Sequence, residues 1–207
     1  MARLFVAVLP PPPVLEHVDR ALVLARAGTA ADEGQGPVRW TPAADRHLTL
    51  AFYGGVPDGL ELEFVEALAG VAAVTPSFGL ALRGSGLFDR RTLWIGCGGD
   101  VAAMTALTER TTAVGADLLG RTDDRVRHRA HLTVGRVRDQ ARRSASRRRE
   151  APGVVQVQTL AHALAVYSGP AWTVDAFHLL RSELGAGPGG AALHSVVETF
   201  ALGAVAG

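Results

Sequence analysis

The chain alternates between short, almost unbroken apolar runs and longer stretches in which apolar residues return every third or fourth position. Arg3–Leu9 is of the first kind and predicts a buried strand, which Pro10–Pro13 ends because proline cannot donate to a sheet ladder. From Val14 to Arg26, Val14, Leu15, Val18, Ala21, Leu22 and Ala25 fall at helical spacing. A polar loop, Gly28–Pro37, follows. His47–Tyr53 predicts a second strand closed by Gly54 and Gly55, and Leu60–Val74 predicts an amphipathic helix. Phe78–Leu82 and Thr92–Cys97 read as a hairpin-like pair of strands, Val101–Leu119 as the longest helix and His131–Val137 as another strand. Beyond a charged helix or loop at Arg142–Glu150, a short helix is expected at Leu160–Tyr167. Two closing strands, Thr173–Glu183 and Ser195–Leu202, flank the Gly-rich 185–190.

Strands and helices are mixed without strict alternation, which points to an α+β fold. No linker divides the chain, so residues 1–207 are expected to form a single domain. A hydrophobic fraction of 48% against 20% charged residues permits a large core and excludes global disorder. The apolar stretch Leu4–Leu9 is shorter than a signal-peptide core, and no run reaches the ~20 residues of a membrane span. A cytoplasmic protein with no membrane association is expected. Cys97, the single cysteine, sits in an apolar run and predicts a buried, inert thiol.

The formal net charge of +1 disfavours a nucleic-acid binder at first sight. Its distribution changes that picture. Between Arg121 and Arg149 there are eleven Arg and three Asp, a balance of +8, which leaves −7 on the rest of the chain. Every basic residue is Arg and none is Lys, so any cationic contact to a phosphate must come from a guanidinium.

A short repeat lies partly inside that basic stretch. His47-Leu48-Thr49-Leu50 returns as His131-Leu132-Thr133-Val134. In a strand, residues i and i+2 share a face, so each copy presents a His beside a Thr while the apolar residues face the other way. Two such strands lining one groove would bring together two imidazoles, able to act as acid and base near neutral pH, and two hydroxyls to hold a phosphate. Such an in-line displacement mainly needs alignment and charge stabilisation, so neither a metal nor another cofactor is expected. His17, His162, His178 and His194 lack a Thr two residues on and are expected to be structural.

On these residues the chain resembles the 2H phosphoesterases, specifically the RNA 2′,3′-cyclic phosphodiesterases also called 2′-5′ RNA ligases. The likeness begins at Arg3-Leu4-Phe5-Val6-Ala7. It runs through Arg39-Trp40-Thr41-Pro42, the two His-x-Thr motifs and Leu93-Trp94-Ile95-Gly96 to Phe177–Ser182. It departs where the family has proline before the second His and this chain has Ala130, and where Gly189–Ala192 lacks a tyrosine. The resemblance implies a bilobal fold of two intertwined lobes with pseudo-twofold symmetry, two antiparallel-type sheets around a central cleft and helices outside. It implies hydrolysis of RNA or nucleoside 2′,3′-cyclic phosphates to 2′-phosphomonoesters. His47 would be the proton donor and His131 the proton acceptor, with Thr49 and Thr133 holding the phosphate. Partners would be RNA with 2′,3′-cyclic phosphate ends or small cyclic nucleotides, with the protein a monomer. A binding module with little turnover, or 2′-5′ ligation as the main activity, are the alternatives.

Four residues are expected to bind substrate. Arg129, two before His131, should share its face and reach phosphate. Arg136 matches a family arginine, although strict alternation puts it on the other face unless a bulge intervenes. Phe52 and Trp40 could stack a base. The Arg142–Arg149 cluster would attract RNA by charge if it borders the cleft.

Overall fold

The computed structural model describes residues 2–27, 36–57, 59–121, 130–138, 151–187 and 190–203. Among these residues nine strands are observed: β1 (Ala2–Val8), β2 (Val38–Trp40), β3 (Leu48–Val56), β4 (Phe78–Phe88), β5 (Thr92–Gly99), β6 (His131–Val137), β7 (Ser168–Val174), β8 (Ala176–Glu183) and β9 (Leu193–Ala201). Four helices accompany them: α1 (Pro12–Arg26), α2 (Glu61–Ala73), α3 (Val101–Leu119) and α4 (Pro152–Ala163).

The strands form one antiparallel sheet in the order β7-β4-β5-β6-β3-β1-β8-β9, with β2 beside β6. The sheet has a narrow waist. Its two halves, β7-β4-β5-β6 and β3-β1-β8-β9, meet through the single pair Leu48 and Leu132. The two expected sheets are thus two halves of one continuous sheet. Each half runs through corresponding elements, with β1, α1, β3 and α2 in one matched by β5, α3, β6 and α4 in the other. The helices cross over. α1 leaves β1 yet packs against β7, while α3 leaves β5 yet packs against β3.

Burial explains the arrangement. Leu4, Val6, Leu48, Leu93, Ile95, Leu132 and Val134 point to the helix side and are fully buried, joined by Val18, Phe64, Leu68 and Leu107 from the helices. Tyr53 is buried under α3, where its hydroxyl donates to the Thr111 carbonyl at 2.8 Å. Gly115 makes this possible, since a Cβ there would lie 2.7 Å from the tyrosine ring. Removal of these side chains from water supplies most of the driving force at about 25 cal/mol per Å² of apolar surface. Among the described residues no helix is long and apolar enough to cross a membrane.

Several boundaries differ from the sequence expectation. The helix expected at Leu160–Tyr167 begins earlier, at Pro152, because proline at the first helical position loses no hydrogen bond. Its buried stripe is Gly153, Val157 and Leu160, with the glycine hiding the periodicity. The strand expected over Thr173–Glu183 is two strands separated at Asp175. β2 is too short to show a pattern and forms by pairing Val38, Arg39 and Trp40 with Val137, Arg136 and Gly135. The segment Arg142–Glu150 lies outside the described residues.

Candidate active site

The two motifs flank the waist of the sheet. Leu48 and Leu132 pair across it, so His47 and His131, each one residue earlier, enter the same concave face. A cleft of about 960 Å³ opens there, lined by His47, Thr49, Phe52, His131 and Arg136 among others. Thr133 is half-buried and shares the His131 face by alternation. No hydrogen bond to another described residue engages either threonine hydroxyl; Thr49 lines the cleft, whereas Thr133 is not among the residues that line it.

Two bulges decide what else faces the cleft. On β3 the pairing with β1 runs from Ala7–Thr49 to Val6–Ala51 and skips Leu50. On β6 the pairing with β5 runs from Trp94–Thr133 to Leu93–Gly135 and skips Val134. Each bulge therefore falls one residue after a motif threonine and resets the alternation of side chains. Phe52 and Arg136, three residues beyond Thr49 and Thr133, consequently line the cleft. The bulge that Arg136 requires is present, and its Nε donates to the Thr92 hydroxyl at 3.3 Å.

A turn anchored to α1 holds His47. Residues Ala43–Asp45 form a short 3-10 turn, and the His47 Nδ1–H donates to the Asp45 carbonyl at 2.8 Å. That bond leaves Nε2 as the atom for proton transfer. Arg46, next in the chain, is buried and donates to the Thr41 carbonyl at 3.0 Å and to Asp19 of α1 at 2.7 Å.

The His47 imidazole is pushed down from its usual 6.5 to about 4. Burial is the main cause, followed by His194, with His131 adding a smaller push in the same direction. The Asp45 carbonyl and carboxylate act against them.

Each histidine sits in an aromatic frame. His131 meets Phe88 edge-on at 4.7 Å between ring centroids and Trp94 at 6.3 Å. Trp94 lies across Gly86, where a Cβ would collide with the indole. His47 meets Phe5 at 5.0 Å and His194 edge-on at 5.3 Å, while Phe5 and His194 are 5.1 Å apart. Phe5, Ala7 and Leu180 form a small buried apolar floor against which Phe52 packs. The Arg3 guanidinium lies over Phe52 at 5.4 Å, and Arg3 also lines the cleft.

The other expected binding residues divide. Trp40 does not line the cleft. Its ring packs against Gly135 and carries the Arg26 guanidinium at 4.4 Å, because β2 pairs with the C-terminal end of β6, beyond the Leu48–Leu132 pair. Arg129 and Arg142–Arg149 lie outside the described residues. Sequence reasoning misses Arg3, Phe5, Ser182 and His194, all of which line the cleft. His194, expected to be structural, reaches the site from β9. On a flat sheet β9 and β3 would be three spacings or ~14 Å apart, so the close approach of its ring to His47 reflects the curl of the sheet.

Comparison with known proteins agrees with this architecture. The family described as LigT like Phosphoesterase matches residues 13–94. A curated relative from Geobacillus stearothermophilus, named RNA 2′,3′-cyclic phosphodiesterase, is 41% identical over 103 residues, which cover 47% of this chain. The match spans only about a third (32%) of that relative's length. A solved structure from Thermus thermophilus superposes with a TM-score of 0.69 at 26% identity, covering 98% of this chain and 99% of that one. E. coli LigT complexed with 3′-AMP gives a TM-score of 0.64 at 23% identity, with 97% and 98% covered. The chain is thus similar to the LigT-like phosphoesterases over residues 13–94, less than half of its length, and shares the fold of these solved structures over nearly all of it.

Proposed function

We propose that the chain hydrolyses 2′,3′-cyclic phosphates, on RNA ends or on nucleosides, to 2′-phosphomonoesters by a two-histidine acid–base mechanism. The observation that carries this reading is the meeting of both His-x-Thr strands at the Leu48–Leu132 pair, with both imidazoles on one cleft. The curated relative's name and the 3′-AMP held by E. coli LigT point to the same substrate class.

In the proposed reaction the cyclic phosphate sits between the two histidines, with its non-bridging oxygens accepting hydrogen bonds from Thr49 and Thr133. His131 takes a proton from water as the water oxygen bonds to phosphorus. The bond from phosphorus to the 3′-oxygen breaks, and His47 delivers its Nε2 proton to that oxygen. The product carries a 2′-phosphate and a free 3′-hydroxyl. Afterwards His131 releases a proton and His47 regains one from solvent.

His47 must be protonated to act as donor, yet its protein surroundings alone hold it neutral at pH 7. The anionic substrate supplies the missing charge, because a negative phosphate beside an imidazole favours its cation. Aligned groups and bound charge account for the rate without a metal step. Phe52, with Arg3 above it, offers an aromatic surface for a base, and Arg136 offers a guanidinium for phosphate. This reading places the protein in the cytoplasm, acting on RNA.

Incubation with 2′,3′-cyclic AMP in the presence of EDTA, followed by separation of 2′-AMP from 3′-AMP, tests the proposal. A 2′-phosphate product formed at an undiminished rate is expected. Exclusive formation of the 3′-phosphate, or loss of turnover with EDTA, overturns it.

A further inference from the structure

The two halves of the site frame their histidines alike but with different materials. His131 is met edge-on by Phe88 with the rings inclined at 75°, and His47 is met edge-on by His194 at 77°. A phenyl ring stands at one position and an ionisable ring at the other. His194 lies opposite Ser182 on β8, also meets Phe5 and lines the cleft, with its Nδ1 buried and unpartnered among the described residues.

We infer that His194 is a positioning residue that holds the His47 ring edge-on and keeps a proton off it until an anion enters the cleft. This rests on the reading of His47 as proton donor. Two imidazolium rings 5.3 Å apart repel strongly in a half-buried site, so a proton on either opposes one on the other. Among the described residues, the charged and titratable groups that share the cleft with His47 are Arg3 from β1, Tyr53 from β3, Arg121 after α3, His131 and Arg136 from β6 and His194 from β9, with Asp45 in its own turn. Of these, His194 is the one whose ring is in contact with it. Burial also holds His194 below the ordinary histidine range, opposed by Asp45. A proton that His194 takes up as the pH falls therefore opposes one on His47, and the substrate phosphate offsets that repulsion and draws a proton onto His47. The second half needs no such device, because His131 begins the reaction as a neutral base.

The test is a histidine ring titration by NMR on the full chain, with the His47 signal assigned by its loss in His47→Gln. His194→Phe copies the second half and keeps the ring contact without a titrating group. His194→Gln provides a smaller neutral control. In both, the His47 midpoint is expected to rise by roughly half a pH unit or more, and the alkaline limb of kcat/KM for 2′,3′-cyclic AMP should move by the same amount. Inorganic phosphate should raise the midpoint in wild type as well. An unmoved His47 midpoint in both variants overturns the inference, even where turnover falls, since a purely packing role would produce that pattern. A raised midpoint in a protein that fails to open 2′,3′-cyclic AMP upholds the coupling and refutes the proposed reaction instead.

Discussion

Phe52 and Arg136 occupy equivalent places in the two halves of the sheet, each three residues beyond a motif threonine and just past a one-residue bulge. The chain uses one backbone device twice and gives it two chemistries, an aromatic face and a guanidinium. Phe52→Ala should raise KM for 2′,3′-cyclic AMP about tenfold with little change in kcat, since base stacking on an aromatic is worth about 1–3 kcal/mol. Steady-state kinetics decide it. A KM within twofold of wild type would show that Phe52 only packs on the Phe5 floor.

The histidines carry the largest effects. His47→Gln and His131→Gln should each lower kcat at least ~10²-fold, the usual contribution of a positioned acid or base. The pH profiles should differ as well. Loss of the donor removes the alkaline limb and loss of the base removes the acid limb. Near wild-type turnover in either variant would sink the two-histidine assignment.

Thr49 and Thr133 present hydroxyls with no described protein partner. Thr49→Val and Thr133→Val keep the β-branched shape and remove the hydrogen bond, so each should lower kcat/KM by ~10-fold or more, from about 1.5–3 kcal/mol for a hydrogen bond to a charged group. Serine at either position should restore most of the loss. Equal activity of the serine and valine variants would mean that the hydroxyl does not meet the phosphate.

The core elements are legible in the sequence because their signals are local. The spacing of Val14, Val18 and Leu22 and the nearly continuous run Arg3–Leu9 each report a buried face directly. The paired motifs are legible for the same reason, since His47 and Thr49 need only strand alternation to share a face. Trp40 is misplaced by such reasoning because its side of the sheet follows from β2 pairing with β6, a contact that no local pattern encodes. Phe52 is suggested by its aromatic character, yet it reaches the cleft through the skip at Leu50, which depends on register with β1. His194 is invisible because the curl of the sheet brings it to His47 from 147 residues away. Its only clue is an unexplained histidine near the C-terminal strand.

Arg46 connects the turn before His47 to α1, and its charge is buried while Asp19 stays half-exposed. Asp19→Ala leaves that guanidinium with the Thr41 carbonyl as its remaining named acceptor. The loss should be larger than for an ordinary surface pair, about 1–3 kcal/mol, because one partner of the pair is desolvated. Thermal unfolding should show a Tm several degrees lower. An unchanged Tm would show that the carbonyl alone satisfies Arg46.

The depressed His47 titration also fixes how stability responds to acid. Its folded value of about 4 lies below the ordinary 6.5, so between these limits the unfolded chain binds more protons than the folded one. Stability from this group is complete above about pH 6.5, declines as pH falls and is gone below about 4. His178 and His194 are lowered in the same sense and add to the slope. The full His47 contribution is at most ~3 kcal/mol by linkage, with solvent penetration reducing it. Urea unfolding of wild type and His47→Gln at pH 7, 6, 5 and 4 separates this group from the carboxylates common to both proteins. The variant should lose less stability across that interval, and parallel curves would show that His47 titrates normally in the folded protein.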